Sequence, residues 1–268
     1  MTVELLIEKW NKANQGCANL NILPIDILSA NKDYPMRFFE EEMEKELQEH
    51  TTPEFPPIEP LPVSNLTIDS LKLRKSAQRV AQVVTDLNAI VAKHDLATAL
   101  HHRRVVRIAR ELAKRMNVNR MQMTTILIAA SIHDIGKIML PKEILNKPGP
   151  LTQEERDIVR THALSGAKIS KSVQMTWSVA PIVLQHHERI DGSGYPNELK
   201  GDEIRPETKI LTVADVIEAM SSDRPYRARL PLSAVWDYLT KWKGIRYDST
   251  VVEAAMDIRD SLRNKILK

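Results

Sequence analysis

A single cysteine, Cys17, in 268 residues excludes an internal disulfide and suits a reducing compartment. Aromatic residues make up only 4% of the chain. No alternation of apolar and polar residues runs long enough for a convincing strand, so a β-sandwich or barrel is not expected. A dominant charge is missing too. Lys and Arg number 38 against 35 Asp and Glu, which leaves no case for binding a nucleic acid polymer or a membrane surface. The apolar run from Thr124 to Ile132 is far too short to cross a bilayer. The opening Met-Thr-Val-Glu lacks the basic-then-apolar order of a secretory signal, so the expected location is cytoplasmic. What remains is an ordinary globular composition, 43% hydrophobic and 27% charged, with ample length for a buried core.

Glycine and histidine are unevenly spread. Of eight glycines only Gly16 precedes Gly136, and six of eight histidines lie between His101 and His187, so chemistry is expected in the second half. Before it, Val3 to Trp10 and Tyr34 to Gln48 read as short helices. Glu40, Glu41, Glu42, Glu44, Glu46 and Glu49 read as a solvated acidic face. Pro53, Pro56, Pro57, Pro60 and Pro62 cannot be regular helix and form a stiff, extended linker. Residues 1–63 are therefore expected to be a helical segment plus linker with a regulatory role. From Leu71 to Val91 the apolar positions Leu73, Ala77, Val80, Val84, Leu87 and Val91 recur at steps of four and three. That is a helix with a heptad-like seam, read as a connector over residues 64–94. The seam either packs on its own domain or joins two copies as a homodimer. Residues 95–268 form the remaining domain, and the whole chain is expected to be all-α.

In that domain His101 shares a stripe with Val105, Ile108 and Leu112, so it points inward. His133 ends the apolar run Ile126 to Ile132 and is followed by Asp134, Gly136 and Lys137. His162 falls on the face of Ile158 and Ile169, in a helix opened by the capping box Thr152–Glu155. Pro181 is placed in the first turn of the helix that leads to His186 and His187. Asp215 lies inside the apolar stretch from Ile210 to Ala214, where an unpaired carboxylate is costly. Taken singly, each is an ordinary core or surface residue. Together, five inward histidines and two buried acids are satisfied by one device, a divalent metal site. A nitrogen and oxygen donor set without thiolate suits iron, manganese or another first-row metal and argues against a structural zinc–cysteine site.

The ordered set resembles the HD-GYP family, a branch of the HD metal-dependent phosphohydrolases, over residues 95 to 260. It rests on Thr98-Ala99-Leu100-His101 with Arg104-Val105, His133-Asp134-Ile135-Gly136-Lys137, Thr161-His162 before Gly166, His186-His187-Glu188 with Asp191-Gly192-Ser193-Gly194-Tyr195-Pro196, and Val213-Ala214-Asp215 leading to Asp223-Arg224-Pro225-Tyr226-Arg227. The resemblance implies an HD-type helical bundle that hydrolyses cyclic di-GMP to linear pGpG, in some members onward to GMP. It implies two divalent metal ions, with Asp134 bridging them, His101, His133 and Asp215 completing one ligand set, and His162, His186 and His187 the other. Asp134 and Lys137 would be the catalytic pair. Lys137, Arg224 and Arg227 would hold phosphate oxygens and Tyr195 would read a guanine end. Two other readings stay open. One is a binding module with little turnover, which senses cyclic di-GMP or docks a diguanylate cyclase through its Gly-Tyr-Pro loop. The other is a hydrolase of a different cyclic dinucleotide, such as cyclic GMP-AMP.

Three positions depart from the family pattern. Ala97 stands where some members carry a glutamate that helps bind a third metal, so two metals are expected, with hydrolysis less prone to run on to GMP. Glu218 replaces an aspartate three residues after the ligand acid, on the same helix face. His102 replaces a small residue and is expected to lie outside the ligand set.

Overall fold

The computed structural model describes residues 68–172, 178–223 and 229–266. The expected N-terminal helices and proline linker lie outside the described residues, as do Arg224 and Arg227. The side chains of Leu73 and Ala77 also fall outside. Among the described residues there are ten α-helices and no strand. They are α1 (Ile68–His94), α2 (Leu96–Arg115), α3 (Arg120–Ile132), α4 (Lys142–Leu145), α5 (Gln153–Ser172), α6 (Val179–Gln185), α7 (Pro206–Ser221), α8 (Leu232–Trp242), α9 (Ser249–Asp257) and α10 (Arg259–Ile266). A 3-10 turn, Ile135–Met139, separates α3 from α4.

The helix starts follow local chemistry. Asp95 caps α2 by accepting from Thr98 N at 3.2 Å and Thr98 Oγ1 at 2.6 Å, and Asn119 with Gln122 forms a capping box on α3. Before α5 the expected box is present, with Thr152 N donating to Glu155 at 2.7 Å and Glu155 N to Thr152 Oγ1 at 3.2 Å. Each backbone N–H bonded in this way is one that the helix start leaves without an intrahelical partner. At α7 a proline occupies the first turn, where its missing N–H costs nothing.

Helix α2 runs through the middle, packed against α3 and α7. Its stripe of Val105, Ile108 and Leu112 is buried, as the spacing predicts. Helix α1 lays Val80, Val84, Leu87 and Val91 into the same core against α2 and α3. For these four residues the seam is an intradomain contact. Each buried aliphatic side chain contributes about 1.5–3 kcal/mol, so this helix is a structural wall of the core.

One crossing positions the chemistry. A Cβ on Gly136 would meet His162 O at 2.0 Å and Gly166 N at 2.6 Å. Only a bare backbone lets the 3-10 turn lie that close to α5, and the approach carries Asp134 up to His162. Ile158 departs from expectation. It is 41% exposed while His162 and Ile169 are buried, because the inward face of α5 begins at His162 and the first turns stand in solvent.

Candidate metal centre

Seven side chains from five places in the chain converge at one end of α2. His101 comes from α2, and His133 and Asp134 from the junction of α3 with the 3-10 turn. His162 comes from α5, His186 and His187 from just past the end of α6, and Asp215 from α7. All are buried except His187, which is partly exposed. Their donor atoms form two groups, each spanning no more than 4.8 Å: His101 with His133 and Asp215, and Asp134 with His162, His186 and His187. Asp134 reaches both. Its Oδ1 lies 3.1 Å from His162 Nε2 and 3.7 Å from His186 Nε2. Its Oδ2 lies 3.6 Å from His133 Nε2 and 3.8 Å from His101 Nε2.

Main-chain carbonyls set the tautomers. His133 Nδ1 meets Ala130 O at 2.9 Å, His162 Nδ1 meets Val159 O at 2.6 Å, and His186 Nδ1 meets Val183 O at 2.6 Å. A carbonyl only accepts, so each Nδ1 must donate, and each neutral ring turns its Nε2 lone pair toward the cluster. His101 uses the same device with a carboxylate: Nδ1 donates to Glu218, whose other oxygen takes Arg104 Nε at 2.6 Å. Lone pairs of His162 and His186 Nε2 then face each other across 3.3 Å, and His187 Nε2 lies 3.1 Å from His162 Nε2. Asp134 Oδ1 is likewise buried without a hydrogen-bond donor among the described residues. Cations satisfy all of these atoms at once. Rings oriented through Nδ1 and converging through Nε2 are the arrangement that metal-bound histidines adopt. The residues fit a divalent metal centre.

Electrostatics agree. Burial holds His133 down to about 4, outweighing the nearby carboxylates, and it also lowers His162 and His187. Asp134 stays ionised, well below the usual carboxylate range: burial pushes it up, but Lys137 and His133 outweigh that. His101 is the exception. Burial opposes its charge, yet Glu218 and Asp215 raise it to about 9, and its Nε2 sits 3.1 Å from Asp215 Oδ1. In the metal-free protein that proton occupies the position a cation would take.

A cleft of about 510 Å³ opens on the centre. His101, Asp134, His187 and Asp215 line one side together with Lys137, whose Nζ is 2.6 Å from Asp134 Oδ2. Tyr195 packs against His187 with ring centroids 4.7 Å apart, and the Arg160 guanidinium lies 5.2 Å from the Tyr195 ring. Burial raises the Tyr195 phenol above its ordinary value, so it remains a neutral hydroxyl. The loop that carries it is pinned by buried Glu188, which accepts from Asn197 N at 2.7 Å and Leu199 N at 3.0 Å. Gly194 is needed for contact with the chain itself, since a Cβ there would lie 2.4 Å from Glu188 Cα.

Sequence reasoning passed over several residues. Glu188 was quoted only within a motif. Glu218 and Arg104 were noted without the link they make to His101, although each stands three residues beyond a predicted ligand. Arg189, Tyr238 and Tyr247 also line the cleft. Arg189 lies 5.2 Å from the Tyr247 ring, and the two tyrosine hydroxyls are 3.2 Å apart. No local pattern marks these tyrosines, because only the tertiary fold brings α8 and the segment after it over the centre.

The HD domain family model matches residues 85–251. A cyclic di-GMP phosphodiesterase of Thermotoga maritima is 39% identical over 183 residues, covering 68% of this chain and 50% of that protein. A 3'3'-cGAMP-specific phosphodiesterase of Vibrio cholerae is 36% identical over 150 residues, covering 56% of this chain and 33% of that one. The chain thus spans half or less of the length of these curated relatives. Among solved structures, an HDG"Y"P protein from Bdellovibrio bacteriovorus superposes with a TM-score of 0.52 at 15% identity, covering 82% of this chain and 80% of that one. That likeness is one of fold.

Proposed function

The chain belongs to the HD domain family, and from that premise we propose that it is a metal-dependent phosphodiesterase that hydrolyses cyclic di-GMP to linear pGpG. The observation that carries the reading is the pair of donor groups with Asp134 reaching into both. In this reading His101, His133 and Asp215 would hold one cation, His162, His186 and His187 would hold a second, and Asp134, whose two oxygens face the two groups, would serve both. Divalent cations bound side by side supply a water of lowered pKa and polarise a phosphodiester. The metal proposed is iron or manganese, on the strength of the nitrogen and oxygen donors.

The remaining residues position substrate and charge. Lys137 Nζ is held at the cleft by Asp134 Oδ2, where it can also donate to a non-bridging phosphate oxygen. Arg189, which also lines the cleft, offers a guanidinium as a second cationic group. Tyr195, neutral and stacked on His187, presents an aromatic face and a hydroxyl to a purine end. Arg224 and Arg227 keep their proposed role as phosphate-binding residues, supported by the motif alone. Ala97 offers no ligand, which supports two metals and a product that stops at pGpG. Residues 1–63 are proposed to regulate the domain.

The test follows substrate and metal together. Protein purified without oxygen is assayed for bound metal, then given cyclic di-GMP or cyclic GMP-AMP with iron or manganese, and the products are separated by chromatography. Cyclic di-GMP is expected to yield pGpG, and the Asp134→Ala variant is expected to lose both turnover and metal. Metal-loaded protein that binds the dinucleotide and leaves it intact for hours would refute the hydrolase.

A further inference from the structure

His102 is 1% exposed and has no part in the ligand sets above, yet its surroundings match those of the ligands. Asn88 Nδ2 donates to Val84 O at 3.0 Å, which fixes the amide and turns its Oδ1 toward His102 Nδ1 at 3.3 Å. An amide oxygen only accepts, so His102 Nδ1 carries the ring proton and Nε2 carries a lone pair. Asn88 therefore does for His102 what main-chain carbonyls do for His133, His162 and His186. That Nε2 is buried and has no hydrogen-bond partner among the described residues, a costly state if nothing meets it.

What it faces is the metal centre. Donor atoms of His102, His133 and Asp134 lie within 4.8 Å of one another, with the His102 and His133 ring centroids 4.8 Å apart. The Nδ1 of His133 is committed to Ala130 O, so that ring has one lone pair to give and can serve one cation. Any cation it shares with His102 is the one it shares with His101 and Asp215. We propose that His102 is a further metal ligand, donating Nε2 to the cation held by His101, His133, Asp134 and Asp215. The two sites then differ, with three imidazoles and two carboxylates at one and three imidazoles and one carboxylate at the other. Asn88, on α1, is the positioning residue that sets the tautomer of this ligand.

The inference rests on the metal-centre reading, and cobalt separates the two. The full-length chain is stripped with chelator and titrated with Co²⁺, with visible absorption and metal content as readouts, for wild type, His102→Leu and Asn88→Ala. Wild type is expected to take up two ions. His102→Leu is expected to weaken one of them 10- to 100-fold and change its absorption bands while leaving the other intact. Asn88→Ala, which removes only the partner of Nδ1, is expected to weaken the same ion by roughly tenfold. A measurement on the wild type alone stands in if the leucine variant does not fold. With histidine labelled by ¹⁵N and ¹¹³Cd²⁺ in place of cobalt, the Nε2 resonances of six rings are expected to show through-bond coupling to cadmium, and coupling in only five, with His102 uncoupled, would overturn the inference. Wild-type affinity and spectrum in His102→Leu would overturn it as well, leaving a buried water as the partner of Nε2. A wild type that takes up no cobalt would bring down the metal-centre reading and this inference with it.

Discussion

Glu218 is the most informative single position to perturb, because it joins a ligand to a cation without touching the cleft. Its carboxylate is fully buried and takes one N–H from His101 and one from Arg104. In Glu218→Leu the side-chain volume is roughly kept while both acceptors vanish. His101 then loses the group that holds its proton on Nδ1, and the ring is free to rotate or to take the other tautomer. Loss of such an oriented partner typically lowers metal affinity 10- to 100-fold, or about 1.4–2.7 kcal/mol. Glu218→Gln is milder. Its amide oxygen can still accept from His101 Nδ1 while the NH₂ turns toward Arg104, which is partly exposed and can be solvated instead. Affinity in the glutamine variant is therefore expected to fall less than tenfold. Calorimetric titration of the metal-free variants with Mn²⁺, beside melts of the same samples, measures both effects. Equal affinity in wild type and Glu218→Leu, with both folded, would show that His101 is oriented by something other than Glu218.

The metal-free protein is expected to be most stable near pH 6.5. His101, raised to about 9, contributes stability that is complete below pH 6.5 and is lost as pH rises to 9. His133, lowered to about 4, must stay neutral in the fold, so its contribution is lost as pH falls from 6.5 to 4. Each change corresponds to roughly 3 kcal/mol, or roughly 6–12 °C in Tm for a domain of this size, and a Tm that climbs steadily to pH 9 in chelator would contradict this. Gly136→Ala forces a methyl against His162 O and is expected to cost about 1–3 kcal/mol or more, visible as a lower Tm with reduced metal uptake; a wild-type melt would mean the turn is not held against α5. Glu188→Ala removes the acceptor of two loop N–H groups and is expected to raise KM severalfold through Tyr195 while metal content stays at the wild-type level; loss of metal instead would mean that Glu188 supports the ligands and not the loop.

Periodicity and capping made the all-α architecture legible before any coordinates. The stripe of His101, Val105, Ile108 and Leu112 and the box at Thr152–Glu155 are local patterns, and local hydrogen bonds and burial enforce them. The same holds for Asp215, whose apolar neighbours from Ile210 to Ala214 announce that it lies inside. Ile158 shows the limit of such reasoning. Helical spacing assigns it to the face of His162, but burial depends on which part of α5 the rest of the bundle covers.

The residue types at the centre were also legible, because histidines and acids on apolar faces demand partners wherever they lie. By itself the sequence determined the helices, their inward faces and the inventory of donors. Which donors meet was decided by tertiary structure: two glycines let the turn after His133 cross α5, and that crossing sets Asp134 between the two groups. Tautomers were decided at both levels, locally by carbonyls three residues back in the chain and through tertiary packing by Glu218 and Asn88. The side chain of His102 illustrates the division. Sequence pattern set it aside as a departure, and only the packing of α1 on α2 shows an imidazole oriented like its neighbours, because the direction of a lone pair depends on the group that accepts the proton at the other end of the ring.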